Sequence, residues 1–272
     1  MLLAVLQANA APLDIAANLE TIDSAARDAA AAGADVLLTP ELFPLGYAPE
    51  RIHQEFDPAQ LPEIRERLAE IARSRGIGLV YSIPALSSSQ ASASQASPAL
   101  NISATLLDAA GTEQLNYAKV HLFGPDERKA FVSATQPPGV VPFMGLKVAL
   151  VICYDVEFPE SVRAAAVRGA DVVLVPTALA HGYAEVPQVI LRARALENHV
   201  AVAYSNHCGT ESGVQFGGGS VIAGPGGALL AEAGTGPEIL YTELDAAAIR
   251  ASRDAVPYLA ERRPELYREW EQ

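Results

Sequence analysis

The chain has 272 residues, half of them hydrophobic and 19% charged, with a formal net charge of -13. That length suits one large core or two fused halves. The acidic balance argues against a nucleic-acid or anionic-membrane partner, since either needs a basic patch and the Lys and Arg residues form no cluster.

Met1–Leu6 carries no basic segment, and its apolar run ends at Gln7, too soon for a signal peptide. No stretch reaches the roughly 18 apolar residues of a membrane span. Two cysteines, Cys153 and Cys208, make no disulfide framework. The expectation is a cytoplasmic protein with reduced thiols.

Strand and helix patterns alternate along the chain. Leu2–Gln7 reads as a strand, Ile15–Ala32 as an alanine-rich helix, and Val36–Thr39 as a short buried strand stopped by Pro40. Pro62–Arg75 is a charged amphipathic helix with proline in its first turn. Strands are predicted at Gly78–Ile83 and Ala99–Leu107, separated by a Ser/Ala/Gln stretch from Ser87 to Ser97 that reads as a low-complexity loop. Gln114–Lys119 and Lys147–Ile152 are further strands. They are followed by a helix at Glu160–Arg168, a strand at Val172–Val175, a helix at Val186–Asn198 and a strand at Val200–Ser205. Gly217-Gly218-Gly219 reads as a tight loop, and strands at Ser220–Ala223, Leu229–Ala233 and Glu238–Leu244 complete the series.

The chain echoes itself. Gly33-Ala34-Asp35-Val36-Leu37-Leu38-Thr39-Pro40 resembles Gly169-Ala170-Asp171-Val172-Val173-Leu174-Val175-Pro176, and each copy follows a strand and an alanine-rich helix. Two such units suggest two related halves fused into one domain over residues 1–272, with the segment from about residue 246 a candidate oligomer arm. The echo places Glu41 and Cys153 at carboxyl ends of strands, so both can face the same end of the fold.

Three stretches set a charged or reactive residue in an apolar context. In Leu37–Tyr47, Glu41 is flanked by apolar residues, Pro and Gly, and partial desolvation would raise its pKa toward the range of a proton-shuttling base. A helix-capping carboxylate is the bland alternative. In Tyr117–Phe123, Lys119 ends a strand where an ammonium needs a partner, unless it snorkels from an edge. His121 nearby reads as a structural hydrogen-bonding residue. In Val148–Glu160, an unbroken apolar run stops at Cys153, and Pro159-Glu160 then opens a helix. A thiol there can meet main-chain N–H groups and nearby positive charge that lowers its pKa, although free cysteines are commonly inert core residues. No Cys-x-x-Cys or His-x-x-x-His spacing suggests a metal, and no Gly-x-Gly-x-x-Gly follows a strand, so no cofactor is expected.

Taken in order, Pro40-Glu41, Lys119-Val120-His121-Leu122 and strand–Cys153-Tyr154-Asp155-Val156-Glu157-Phe158-Pro159-Glu160 resemble the nitrilase superfamily of carbon–nitrogen hydrolases. The resemblance implies an α/β fold, a four-layer α-β-β-α sandwich. It also implies Glu41 as general base, Lys119 as oxyanion stabiliser, Cys153 as nucleophile and the Tyr154 N–H as a second oxyanion donor. A second glutamate, Glu127 with Asp126 as competitor, would position substrate and hold Lys119; a solvated loop acid is the alternative.

Tyr154-Asp155 departs from the Cys-Trp-Glu of nitrilases, and Val156 and Glu157 replace the arginine pair of carbamoylases. What remains is most like the aliphatic amidases, acting on a small-molecule amide. An N-carbamoyl amine or amino-acid hydrolase is the runner-up, ahead of a nitrilase or a silent binding protein of the same fold. Tyr47, Tyr154, Thr177 and Ala178 are the expected substrate-binding set, with the Thr177–Tyr183 loop lining an acyl pocket. Arg192, Arg194 and Glu197 read as a structural ion-pair set, and Cys208 as packing. Family members typically pair, so a homodimer or higher homo-oligomer is expected, with the Glu160–Arg168 helix as a plausible contact.

Overall fold

The alternation of apolar strands with alanine-rich helices builds two sheets, each covered on one side by helices. The computed structural model describes residues 1–87 and 99–270. Most of the Ser/Ala/Gln stretch therefore lies outside the described residues.

The first half comprises β1 (Leu2–Gln7), α1 (Ile15–Ala31), β2 (Val36–Leu38), α2 (Pro49–Glu55), α3 (Leu61–Arg75), β3 (Gly78–Leu86), β4 (Leu100–Leu107), β5 (Glu113–Ala118) and α4 (Gly124–Ala130). The second opens with β6 (Val140–Phe143), β7 (Leu146–Leu150), α5 (Pro159–Val167), β8 (Val172–Pro176), α6 (Leu191–Asn198) and β9 (Ala201–Ser205). It continues through β10 (Cys208–Glu211), β11 (Val214–Gly217), β12 (Val221–Ala223), β13 (Leu229–Glu232), β14 (Glu238–Glu243), α7 (Ala246–Ala255) and α8 (Pro264–Trp270).

The strand order is β14-β1-β2-β3-β4-β5 in one six-stranded sheet and β13-β12-β9-β8-β7-β6 in the other, with β10-β11 a separate hairpin. Parallel pairs β1-β2-β3 and β7-β8-β9 form the centres, and antiparallel strands form the flanks. The sheets pack face to face through β1, β2 and β3 against β8 and β9, with α1 and α3 outside one and α5 and α6 outside the other. This is the expected α-β-β-α sandwich. Central strands are buried on both faces, which is why they read as continuous apolar runs rather than alternating ones.

The sequence echo has a physical basis. Asp35 N–H donates to Leu2 O at 2.8 Å while Asp35 Oδ2 accepts from Leu2 N–H at 2.7 Å. Asp171 does the same to Lys147, at 2.7 and 2.9 Å. Each aspartate starts the second strand of its unit by clamping the first, and Gly33 and Gly169, at φ +82° and +93°, supply the left-handed helix exit that precedes it.

The structure extends or shortens several expected elements. α2, α4, β6 and the β10-β11 hairpin were not read from the sequence, because short polar segments carry little periodicity. Val186–Asn198 divides into a wide π-type turn at Val186–Ile190 and α6. The segment after residue 245 docks on its own chain: Ile249 is buried, and Arg253 pairs with Asp171 at 2.8 Å and bonds Ala170 O. No helix among the described residues is long and apolar enough to cross a membrane.

Candidate active site

The strand ends converge as the echo requires. Cys153 follows β7 at the start of a short 3-10 turn, Cys153–Glu157, and takes a positive φ of 46°. A left-handed conformation is costly for a residue with a Cβ and persists where surrounding structure holds it. Here it turns the thiol out of the strand at the chain's sharp bend. Asp155 braces that bend: it accepts from His121 N–H at 2.9 Å and Tyr117 O–H at 2.8 Å, and faces His121 Nδ1 at 2.8 Å. Asp155 thus ties the Cys153 turn to the segment that carries Lys119. His121 is stacked on Phe158 at 3.8 Å, in the structural role expected of it.

Lys119 just past β5, Glu41 past β2 and Glu127 on α4 form a buried cluster, each 0% exposed. Lys119 Nζ donates to Glu41 Oε1 at 2.7 Å and to Glu127 Oε1 and Oε2 at 2.7 and 2.9 Å. Snorkelling to the surface and helix capping are both overturned by that burial and pairing. Glu127 also accepts from Phe123 N–H at 2.8 Å and from Tyr47 O–H at 2.6 Å. Glu127 meets the ammonium, while Asp126 is exposed at the cavity wall. The solvated-loop alternative for Glu127 failed because Gly124–Ala130 folds as a helix whose buried side carries that residue.

One ammonium faces two carboxyls in a dry site, and the protonation balance follows. Burial pushes the Glu41 carboxyl up to about 7, against the pull of Lys119 and with the push of Glu127. Burial alone would lower the Lys119 pKa, but Glu41 and Glu127 outweigh it and hold the ammonium charged. Cys153 corrects an expectation. Its thiol is held well above the ordinary range, by burial first and the Glu41 charge second, with Lys119 pulling less strongly the other way. Cys153 therefore rests as a thiol. Glu41 Oε2 has no hydrogen-bond partner, and the same carboxyl interacts with the Cys153 thiol.

The cluster opens onto a cavity of about 450 Å³, walled by Tyr47, Phe123, Tyr154, Leu179, Tyr183 and Phe216 among others, with Cys153 and Glu127 at its base. Tyr47, Tyr154 and Ala178 line it as expected, and of the Thr177–Tyr183 loop Leu179, Ala180 and Tyr183 also do. Thr177 does not: it is fully buried behind the wall, where its carbonyl accepts from Glu41 N–H at 3.1 Å. The hairpin residues Ser212, Val214 and Phe216 line the cavity and were not foreseen. Arg194 donates to the carbonyls of Val156 and Glu157, supporting the turn after Cys153 rather than only pairing with Glu197. Arg192 bonds Gly227 O at 2.8 Å. Cys208 is buried 1% exposed and lies outside the cavity lining.

Comparison with known proteins agrees with this geometry. The carbon–nitrogen hydrolase family model matches residues 2–254. The chain is 36% identical over 269 residues to the "Hydrolase in pqqF 5'region" of Pseudomonas protegens, covering 98% of this chain and 90% of that protein. It is 29% identical to the 2-oxoglutaramate amidase of Bacillus subtilis, covering 86% and 87%. The solved amidase of Nesterenkonia sp. AN1 is 46% identical with a TM-score of 0.89, covering 99% of each chain. In one of its variants the acetamide moiety of fluoroacetamide is added covalently at the active-site cysteine.

Proposed function

This chain belongs to the carbon–nitrogen hydrolase family as an amidase-type hydrolase of the nitrilase superfamily, and we propose that it cleaves a small carboxamide to acid and ammonia through a thioester on Cys153. The observation that carries the reading is the single buried cluster in which Lys119 Nζ holds Glu41 and Glu127 beside the Cys153 thiol, at the base of an apolar-walled cavity.

A carboxamide carbon is a poor electrophile, so hydrolysis is divided into thioester formation and breakdown. Glu41 takes the thiol proton as sulfur attacks the carbonyl carbon. The electron pair of the C=O moves onto oxygen, facing the Lys119 ammonium and the Tyr154 N–H; each such donor is worth about 3–4 kcal/mol. The proton on Glu41 passes to the nitrogen, the C–N bond breaks and ammonia departs. Glu41 then takes a proton from water as its oxygen attacks the thioester, and returns it to the sulfur. Glu127 holds Lys119 and orients the amide. A carboxyl titrating at about 7 suits both halves of this cycle.

The cavity's charge bears on the substrate. Its described lining carries Asp126 and Glu157, with Glu50 paired to Lys129 at 3.2 Å and Glu127 to Lys119 at 2.7 Å, and its one cation, Arg51, is paired to Glu55 at 2.9 Å. Such a lining, among the described residues, offers no unpaired cation to hold a substrate carboxylate, so a plain amide is favoured over an N-carbamoyl amino acid. Ammonia release from a panel of neutral amides, carboxylate-bearing amides, N-carbamoyl compounds and nitriles tests this. Turnover of short neutral amides is the expected result; exclusive turnover of carbamoyl compounds or nitriles would overturn it. A homodimer is part of the same proposal, supported by Val167 on α5 and Leu196 on α6, both exposed. Sedimentation at micromolar concentration should give twice the chain mass, and a strict monomer would refute it.

A further inference from the structure

Behind the catalytic cluster lies a second buried pair that the chemistry above does not use. His207 and Glu211 are both buried, with Nδ1 of His207 2.7 Å from Glu211 Oε1. Nε2 of His207 lies 2.7 Å from the main-chain oxygen of Glu41. A carbonyl oxygen only accepts, so Nε2 carries a proton. Glu211 receives Ala10 N–H on Oε1 at 2.8 Å and Tyr47 N–H on Oε2 at 2.9 Å. Glu211 thus takes two main-chain donors, one on each oxygen, and a single proton lies between its Oε1 and His207 Nδ1. The pair is hydrogen-bonded and closed off from water.

Its contacts reach both glutamates of the cluster. The Glu41 peptide is clamped on two sides, its N–H by Thr177 O at 3.1 Å and its C=O by His207. Leu42, the next residue, sits at φ +53°, a conformation that an external clamp must hold. Glu211 fixes the main chain of Tyr47, whose phenol reaches Glu127 at 2.6 Å. The His207 ring packs among Phe43, Tyr47 and Phe216, with centroids 5.5, 6.5 and 5.1 Å away. Glu211 ends β10, whose hairpin supplies Ser212, Val214 and Phe216 to the cavity.

We propose that His207 and Glu211 are positioning residues, a buried hydrogen-bonded pair that sets the Glu41 main chain directly and Glu127 through Tyr47, locking the hairpin wall of the acyl pocket to the base. The assignment rests on the amidase reading for its consequence in turnover, and on geometry alone for the placement of Glu41. Misplacing a base by about 1 Å costs on the order of 100-fold in rate.

The test compares His207→Gln, Glu211→Gln, the double His207→Gln/Glu211→Gln change and His207→Arg, each checked for folding by circular dichroism. The double variant removes both titratable groups of the pair together, so it reports on positioning where a single change fails to fold. kcat on a short amide should fall about 100-fold in the Gln variants, and His207→Arg, which supplies donors to both Glu41 O and Glu211, should recover most of it. The rate of Cys153 alkylation by iodoacetamide, followed against pH, needs no substrate. It should inflect near 7 in the parent through Glu41, and the inflection should move in the Gln variants. The groups facing Glu41 there are Lys119, Glu127, Cys153, Tyr47 and Tyr204, with His207 on its main-chain oxygen. Folded Gln variants with unchanged kcat and an unmoved alkylation inflection would overturn the proposal, as would His207→Arg being no better than His207→Gln. A parent inactive on every amide whose alkylation inflection still moves in the variants would refute the amidase reading and leave the positioning role supported.

Discussion

The two strand–helix–strand units share a frame and carry different side chains. Leu3 pairs Val36 in the first unit as Val148 pairs Val172 in the second. Five residues beyond each lie Ala8, Glu41, Cys153 and Thr177. The counterpart of Cys153 is thus an alanine, and the counterpart of Glu41 is a threonine whose carbonyl accepts the Glu41 N–H. The frame brings the two units' strand ends together; the chemistry takes one reactive residue from each. Lys119 and Glu127 come from outside both units, on β5's exit and on α4. A repeated scaffold thereby serves a site with no internal symmetry.

The largest effects should fall on the asymmetric residues. Cys153→Ala should remove turnover with the fold intact, because one small buried side chain replaces another. Glu41→Gln should cost about 10²–10⁴-fold in kcat, the range of general acid–base catalysis, measured by ammonia release. Lys119→Ala should be as severe and should also lower stability by about 3–5 kcal/mol in urea, since two buried carboxyls lose their counter-ion. Groups acting as a unit are not additive, so the Glu41 and Lys119 double change should be little worse than either alone. At the counterpart position, Thr177→Val keeps the carbonyl and should leave kcat within about threefold; a loss approaching that of Glu41→Gln would break the contrast between the two units.

A smaller effect sharpens the account of Glu41. Its carboxylate is the proposed base, and burial pushes its pKa up to about 7, so kcat/KM should fall as pH drops through that value. The Glu41→Gln residual activity should lack that limb. A parent profile flat from pH 5 to 8 would contradict it. The same titration should govern alkylation. Cys153 lines the cavity and has the base beside it, so iodoacetamide should label it before Cys208, whose burial raises its thiol to about 11. The rate should rise with Glu41 ionisation rather than reflect a low thiol pKa, and faster labelling of Cys208 would contradict the assignment.

The smallest effect belongs to the shared frame. Asp35→Ala and Asp171→Ala each remove a strand-starting clamp and should cost about 1–3 kcal/mol in urea unfolding. Asp171 should cost more, because it also holds Arg253 of α7. Equal activity per folded molecule is expected in both.

What could be read from the sequence follows this division. Cys153, Glu41 and Lys119 were legible because each interrupts an apolar run, and a reactive group in such a run is a local signal. The Asp35 and Asp171 clamps left a visible repeat for the same reason. Glu127 was ambiguous: Pro125-Asp126-Glu127-Arg128-Lys129 reads as a polar loop, and only the helix Gly124–Ala130 turns one of its acids inward. Asp155 was visible but its task was not, since its partners are 34 and 38 residues away. The His207–Glu211 pair reaches partners 166, 164 and 201 residues distant, a relation that no local pattern encodes. The low-pKa thiol expected from the nearby lysine was wrong for a related reason: sequence shows the charge but not the depth of burial that outweighs it.

The central claim, that Cys153 carries the acyl group while Glu41 moves the proton, is tested most directly by rapid-quench mass spectrometry of the intact enzyme with a short amide. The account predicts a mass increase of one acyl group, mapped to the peptide containing Cys153, that accumulates and decays in the parent and is missing in Cys153→Ala. An acyl group on Cys208, or amide turnover by Cys153→Ala at the parent rate, would contradict it.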